Sequence, residues 1–140
     1  MVLFTSPQIC HAQGVENLAH EILAPSMRDL ESSGLSLPAV DVEHSPRSTD
    51  EVVMLLAPDG TGVGFRAGPG EDRALLIARA TEKVQEWALE QSQDTGVSNW
   101  PPCPLHPGSH PLFVTVEEGT AAWSCTVSGI VIAKVGALLH

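Results

Sequence analysis

The chain of 140 residues has no tyrosine, and three Trp with three Phe bring its aromatic content to only 4 %. So few rings leave little from which to build a base-stacking platform. Basic residues are scarce as well: seven Lys and Arg stand against seventeen Asp and Glu, a net charge of −10. That balance argues against a nucleic-acid backbone or an anionic membrane surface as the main partner. Cysteine is limited to three residues, an odd number without the spacing of a disulfide scaffold, which fits a reducing compartment. Long hydrophobic runs are missing too. The most apolar stretch, Ile130–Leu139, is interrupted by Lys134 and falls well short of the ~20 residues a membrane helix needs. Met1–Cys10 has no basic residue before its short apolar stretch, so no secretory signal is expected. The expectation is an acidic cytoplasmic protein.

What is present suffices for one compact domain. A hydrophobic content of 43 % over this length lets the chain bury roughly two-thirds of its unfolded surface. Val15, Leu18, Ile22, Met27 and Leu30 recur at helical spacing between Val15 and Ser33, with Pro25 expected to kink that helix or start a second one. Leu35–Glu43, Glu51–Ala57 and Thr61–Ala67 read as three strands, separated by a polar turn at residues 44–50 and by Asp59-Gly60. A second helix is expected over Glu71–Gln93, where Leu76, Ala80, Val84 and Trp87 share one face and Asp94-Thr95-Gly96 ends it. The acidic pair Glu71-Asp72 suits its first turn. Beyond it, Asn99–Pro111 holds five prolines and cannot be regular structure. Leu112–Val116 and Ala121–Cys125 flank the turn Glu117–Thr120, and Ile130–Val135 is a further apolar run. The expected fold is therefore α+β. A three-stranded antiparallel sheet with two helices (α-β-β-β-α, residues 1–94) precedes a Pro/His/Cys loop and a small β-hairpin unit (residues 95–140).

That loop carries the chemistry. Cys103 and His106 stand in C-x-x-H spacing, His110 follows, and Cys125 lies across the hairpin. Four of the nine Cys and His residues thus fall within 23 positions. Two thiolates and two imidazoles form the donor set of a closed structural zinc site. The prolines lower the unfolded-state entropy of a loop that has little apolar mass to hold it. With all four ligands bound, zinc is structural. With three, a water completes the sphere and a metal-dependent enzyme becomes the alternative, for which Glu117 or Glu118 is the nearest general base in sequence. The pattern Trp100-Pro-x-Cys103-Pro-x-His106, His110-Pro-Leu112, Trp123-x-Cys125 resembles the C-terminal signature of small bacterial proteins of uncharacterised activity. In outline it also resembles a zinc ribbon, with His106 where a ribbon has Cys and one cysteine in its second half. The resemblance covers about the last 40 residues and implies a metal site without an activity.

Other motifs are weaker. Gly62-x-Gly64-x-x-Ala67 lacks the βαβ context of a dinucleotide fingerprint, and its glycines read as strand and turn residues. Cys10-His11 reads as an inert terminal thiol beside a histidine. His20-Glu21 lacks the second His of a metalloprotease helix, and Gly34-Leu35-Ser36-Leu37-Pro38 lacks the last glycine of a nucleophile elbow. Glu82, Glu86 and Glu90 repeat at i, i+4, i+8, a solvated face or a surface for a basic partner. Residues 95–140 carry only two Glu and one Lys, so the zinc-module expectation of DNA binding does not transfer. The functional expectation is a zinc-stabilised, non-enzymatic protein-interaction or adaptor module without nucleic-acid or membrane partners.

Overall fold

The computed structural model describes residues 7–91 and 99–138, with side chains from residue 18 onward. The order is α1 (Pro7–Ser32), β1 (Ala39–His44), β2 (Glu51–Leu56), β3 (Gly62–Ala67), α2 (Arg73–Gln91), β4 (Phe113–Glu117), β5 (Thr120–Ser124) and β6 (Val131–Lys134). Strands β1-β2-β3 form one antiparallel sheet and β4-β5-β6 a second. The α+β class and the α-β-β-β-α order are as expected. The C-terminal unit is larger than a hairpin, because β6 adds a third strand to β5.

Helix α1 begins earlier than its apolar period suggested and runs unbroken through Pro25. Proline there forfeits the N–H that would bond the Glu21 carbonyl and crowds that carbonyl with its ring. Packing outweighs that loss, since Ala19, Ile22, Leu23, Ser26, Asp29 and Leu30 form one buried stripe. Strand β1 starts at Ala39, not Leu35: Pro38 has no N–H for a ladder. Helix α2 starts at Arg73, so Glu71 and Asp72 precede it, Asp72 as its N-cap. The Leu75 amide donates to Asp72 Oδ2 at 3.2 Å and the Gly68 amide to Glu71 Oε2 at 2.8 Å, which satisfies N–H groups with no helical partner. The stop signal at residues 94–96 lies outside the described residues.

Strand register sorts the first sheet cleanly. Val53 pairs with Val42 and Phe65, and Leu55 pairs with Val40 and Val63, which puts all six on the face turned to the core. On the opposite face Met54 lies across Gly64, and a Cβ at Gly62 would collide with the Leu55 carbonyl. These glycines serve close strand packing, as the sequence reading held. From α2, Leu76, Ala80, Val84 and Trp87 are buried. One hydrophobic cluster continues from these residues through Trp100, Leu112, Trp123 and Val135. Among the described residues no helix is long and apolar enough to cross a membrane.

Candidate metal centre

Two turns and a short ladder build the site. The Leu112 amide donates to the Pro101 carbonyl at 2.7 Å, and Pro102 bridges Pro111. The proline-rich segment thereby folds back on itself, bringing Cys103 opposite His110, whose carbonyl accepts from the Cys103 amide at 3.4 Å. Inside this loop the His106 amide donates to the Cys103 carbonyl at 3.3 Å. Gly108 then reverses the chain at φ 77°, a left-handed conformation glycine adopts without cost. Cys125 follows β5 and starts the second turn. Its carbonyl accepts from the Gly129 amide at 2.9 Å, and Gly129 also has positive φ, 76°.

The four donor atoms of Cys103, His106, His110 and Cys125 lie within 4.8 Å of one another, close enough to hold a metal ion. His106 Nδ1 is 3.7 Å from Cys103 Sγ and 3.4 Å from Cys125 Sγ. His110 Nε2 is 3.3 Å from His106 Nδ1 and 3.8 Å from Cys125 Sγ. Both thiols are buried and free of disulfides, and both imidazoles are half-buried.

Surrounding groups pre-set the donors. His110 Nδ1 lies 2.9 Å from the Pro111 carbonyl, and a carbonyl can only accept. The ring proton therefore sits on Nδ1 and leaves the Nε2 lone pair facing the other donors. Thr126 Oγ1, 3.0 Å from the same nitrogen, flanks it. At Cys125, burial pushes the thiol pKa up. Hydrogen bonds from the Ser128 hydroxyl and amide, the Val127 amide and the Cys103 thiol outweigh that effect and lower it from 9.0 to about 6. The Ser128 amide lies 3.4 Å from Cys125 Sγ. Such N–H donors stabilise a thiolate, the form that binds metal.

Helices α1 and α2 hold the unit from behind, through residues the sequence reading did not single out. Gln85 Nε2 donates to the carbonyls of Trp100 (3.1 Å) and Leu112 (2.7 Å), gripping both ends of the loop. Asp29 is 1 % exposed. Its Oδ2 accepts from Trp123 Nε1 at 2.8 Å and from the Gly136 amide at 2.7 Å, and its Oδ1 from the Leu138 amide at 3.1 Å. Trp100 Nε1 donates to Ser33 Oγ at 2.8 Å, and the Trp100 and Trp123 rings meet edge to face with centroids 5.6 Å apart. The signal for Asp29 was its position: a carboxylate inside the apolar stripe of α1, where only a paired charge is tolerated.

The remaining candidates are not gathered here. Glu117 and Glu118 sit at the exposed tip of the β4–β5 hairpin. Phe113 pairs with Ser124, next to Cys125, and Glu117 pairs with Thr120, so Glu117 lies four strand positions away, about 13 Å along the ladder. Neither carboxylate is placed by the hairpin as a general base for the Cys/His cluster. His20 and Glu21 are exposed on α1, where Glu21 pairs with Arg73. The side chains of Cys10 and His11 lie outside the described residues. Comparison with known protein families, curated proteins and solved structures returned no match.

Proposed function

We propose that the chain is a zinc-stabilised, non-enzymatic protein-interaction module. The supporting observation is the spacing of the four donors. Zinc bonds of about 2.3 Å to sulfur and 2.0–2.1 Å to nitrogen, arranged tetrahedrally, set S···N pairs about 3.6 Å and the N···N pair about 3.3 Å apart. Three of the four S···N separations are 3.4, 3.7 and 3.8 Å, the N···N separation is 3.3 Å, and all six donor pairs lie within 4.8 Å. His106 would bind through Nδ1 and His110 through Nε2, which with the two thiolates completes a four-ligand S₂N₂ set. Zinc there would join two turns that have few apolar side chains of their own.

The interaction role rests on what the unit exposes. Among the described residues, Leu105, Phe113, Val127, Ile130 and Val131 are five of the seven large hydrophobic side chains left exposed. Apolar side chains displayed on a small cross-linked scaffold suit contact with another protein. The test is metal analysis of the purified chain followed by X-ray absorption spectroscopy. One zinc per chain with two sulfur and two nitrogen neighbours is expected. Three protein ligands plus an oxygen would replace this reading with the metal-enzyme alternative, and a folded chain without metal would remove both.

A further inference from the structure

The acidic row on α2 and the metal loop enclose a second feature. An open groove of about 490 Å³ runs between them. Leu89, Pro111, Leu112 and Phe113 supply its apolar surface, Glu82 and Glu86 stand on the helix side, and His110 and Thr126 belong to the loop side. Phe113 is 38 % exposed, although a phenyl ring gains by burial. Lys83 pairs with Glu86 at 3.3 Å. No cation lies within salt-bridge distance of Glu82 among the described residues, and the chain as a whole carries −10.

We propose that this groove docks an extended peptide segment of a protein partner, one that presents Lys or Arg at alternate positions followed by an apolar side chain. The inference rests on the interaction-module reading and names its surface. Glu82 and Glu86 are one helical turn apart, about 6 Å, and alternate side chains of an extended peptide are separated by about 6.6 Å. Two basic side chains on one face of such a peptide therefore match the two carboxylates, the one at Glu86 taking the place of Lys83. The next turn of α2 brings Leu89, which with Phe113 forms the apolar end. The opposite wall is the metal loop itself, since Thr126 and Pro111 both contact the His110 ring. Docking should consequently need the metal, which keeps that wall in place.

The experiment titrates the zinc-loaded full chain with a short labelled peptide of alternating lysine and serine ending in leucine, followed by anisotropy and by ¹⁵N chemical shifts. Binding is expected at low salt, weakening as salt rises, with shifts at Glu82, Glu86, Leu89, Phe113 and Thr126. The double variant Glu82→Gln/Glu86→Gln should keep the wild-type melting temperature and lose about five-fold in affinity, and Phe113→Ala should lose a similar factor. Equal binding of a peptide with glutamate for lysine would overturn the proposal. So would unchanged affinity of the double variant, or shifts confined to the separate proline-lined cavity beside Ile132 and Leu138. A zinc-containing chain that ignores the peptide overturns the groove and leaves the metal centre standing. A metal-free folded chain that binds it through the same residues removes zinc and the metal dependence argued here, and retains the groove.

Discussion

Between Ala19 and Ala88 the buried side chains are chiefly alkyl or aryl groups interlocked across two helices and a sheet. Between Trp100 and Leu138 they include two cysteines of a four-donor cluster, and the chain is tied down by named polar atoms: Asp29, Gln85 and Ser33. The first region draws its stability from area removed from water, spread over many contacts and forgiving of any single loss. The second adds to its share of the hydrophobic cluster, Trp100, Leu112, Trp123 and Val135, a few bonds that fix it at particular atoms. The small sheet is held by docking to α1 and α2 and, on the zinc reading proposed above, by chelation as well.

Metal removal should break this contrast most visibly. Chelation, or the double substitution Cys103→Ser/Cys125→Ser, should cost several kcal/mol, on the order of 5, because binding a structural ion contributes directly to folding. Hydrogen exchange should then accelerate in β4–β6 while amides of β2 and α2 keep their protection. Uniform acceleration would show that the two regions unfold as one.

Next in size is the clamp on α1. Asp29→Ala leaves the Trp123 indole N–H and the Gly136 and Leu138 amides without their acceptor in a buried place, a loss of about 3 kcal/mol. Asp29→Asn should cost less, about 1–2 kcal/mol, because one acceptor oxygen remains. Urea unfolding followed by tryptophan fluorescence measures both. A near-neutral Asp29→Ala would mean that the docking is carried by the tryptophan rings alone. Smaller again, Gln85→Leu removes the two bonds to the Trp100 and Leu112 carbonyls and should destabilise by about 1–2 kcal/mol. It should also weaken metal retention against a competing chelator, which a body substitution such as Leu75→Ala should not.

The two regions also differed in how far the sequence revealed them. Periodicity disclosed the strands and α2, because a residue such as Val53 or Leu76 reports its own burial. It set ends poorly wherever one backbone group decides: Pro38 delays β1, and Asp72 caps α2 from outside. The four metal-binding candidates were legible because Cys and His gathered in a proline-rich loop have few other uses. Gln85 was not, since its role consists of contacts to segments 15 or more residues away, and nothing local to a glutamine in a charged helix face announces two distant carbonyls. Asp29 stands out as a carboxylate in an apolar stripe, but its partners do not. Ser128 likewise announces no contact with a thiolate in the sequence. Its N–H turned to Cys125 depends on the turn closed at Gly129.

Acid should separate the two regions by pH, with the smallest effect in the body. The metal-binding side is lost first: the Cys125 thiol, held at about 6, must be a thiolate to bind, so protons compete with a metal for it as pH falls through about 6 and below. The body has a different acid limit. Arg79 binds both oxygens of Glu71 at 2.7 and 3.0 Å and the Gly68 amide adds a third bond, which lowers the Glu71 pKa from 4.5 to about 2. A carboxylate whose folded pKa is depressed contributes stability that is fully present above its unfolded value and lost as pH falls through the folded one. The window is therefore pH 4.5 down to 2. Arg79→Gln should flatten the pH dependence of the urea midpoint within that window and leave the midpoint's fall near pH 6 unchanged. The pair is solvent-exposed, so the difference between the two proteins should be small and shrink with added salt. Both proteins lose metal over the same range, so their difference isolates Glu71. If Arg79→Gln instead moved the transition near pH 6, the proton-sensitive parts of the two regions would be coupled through α2.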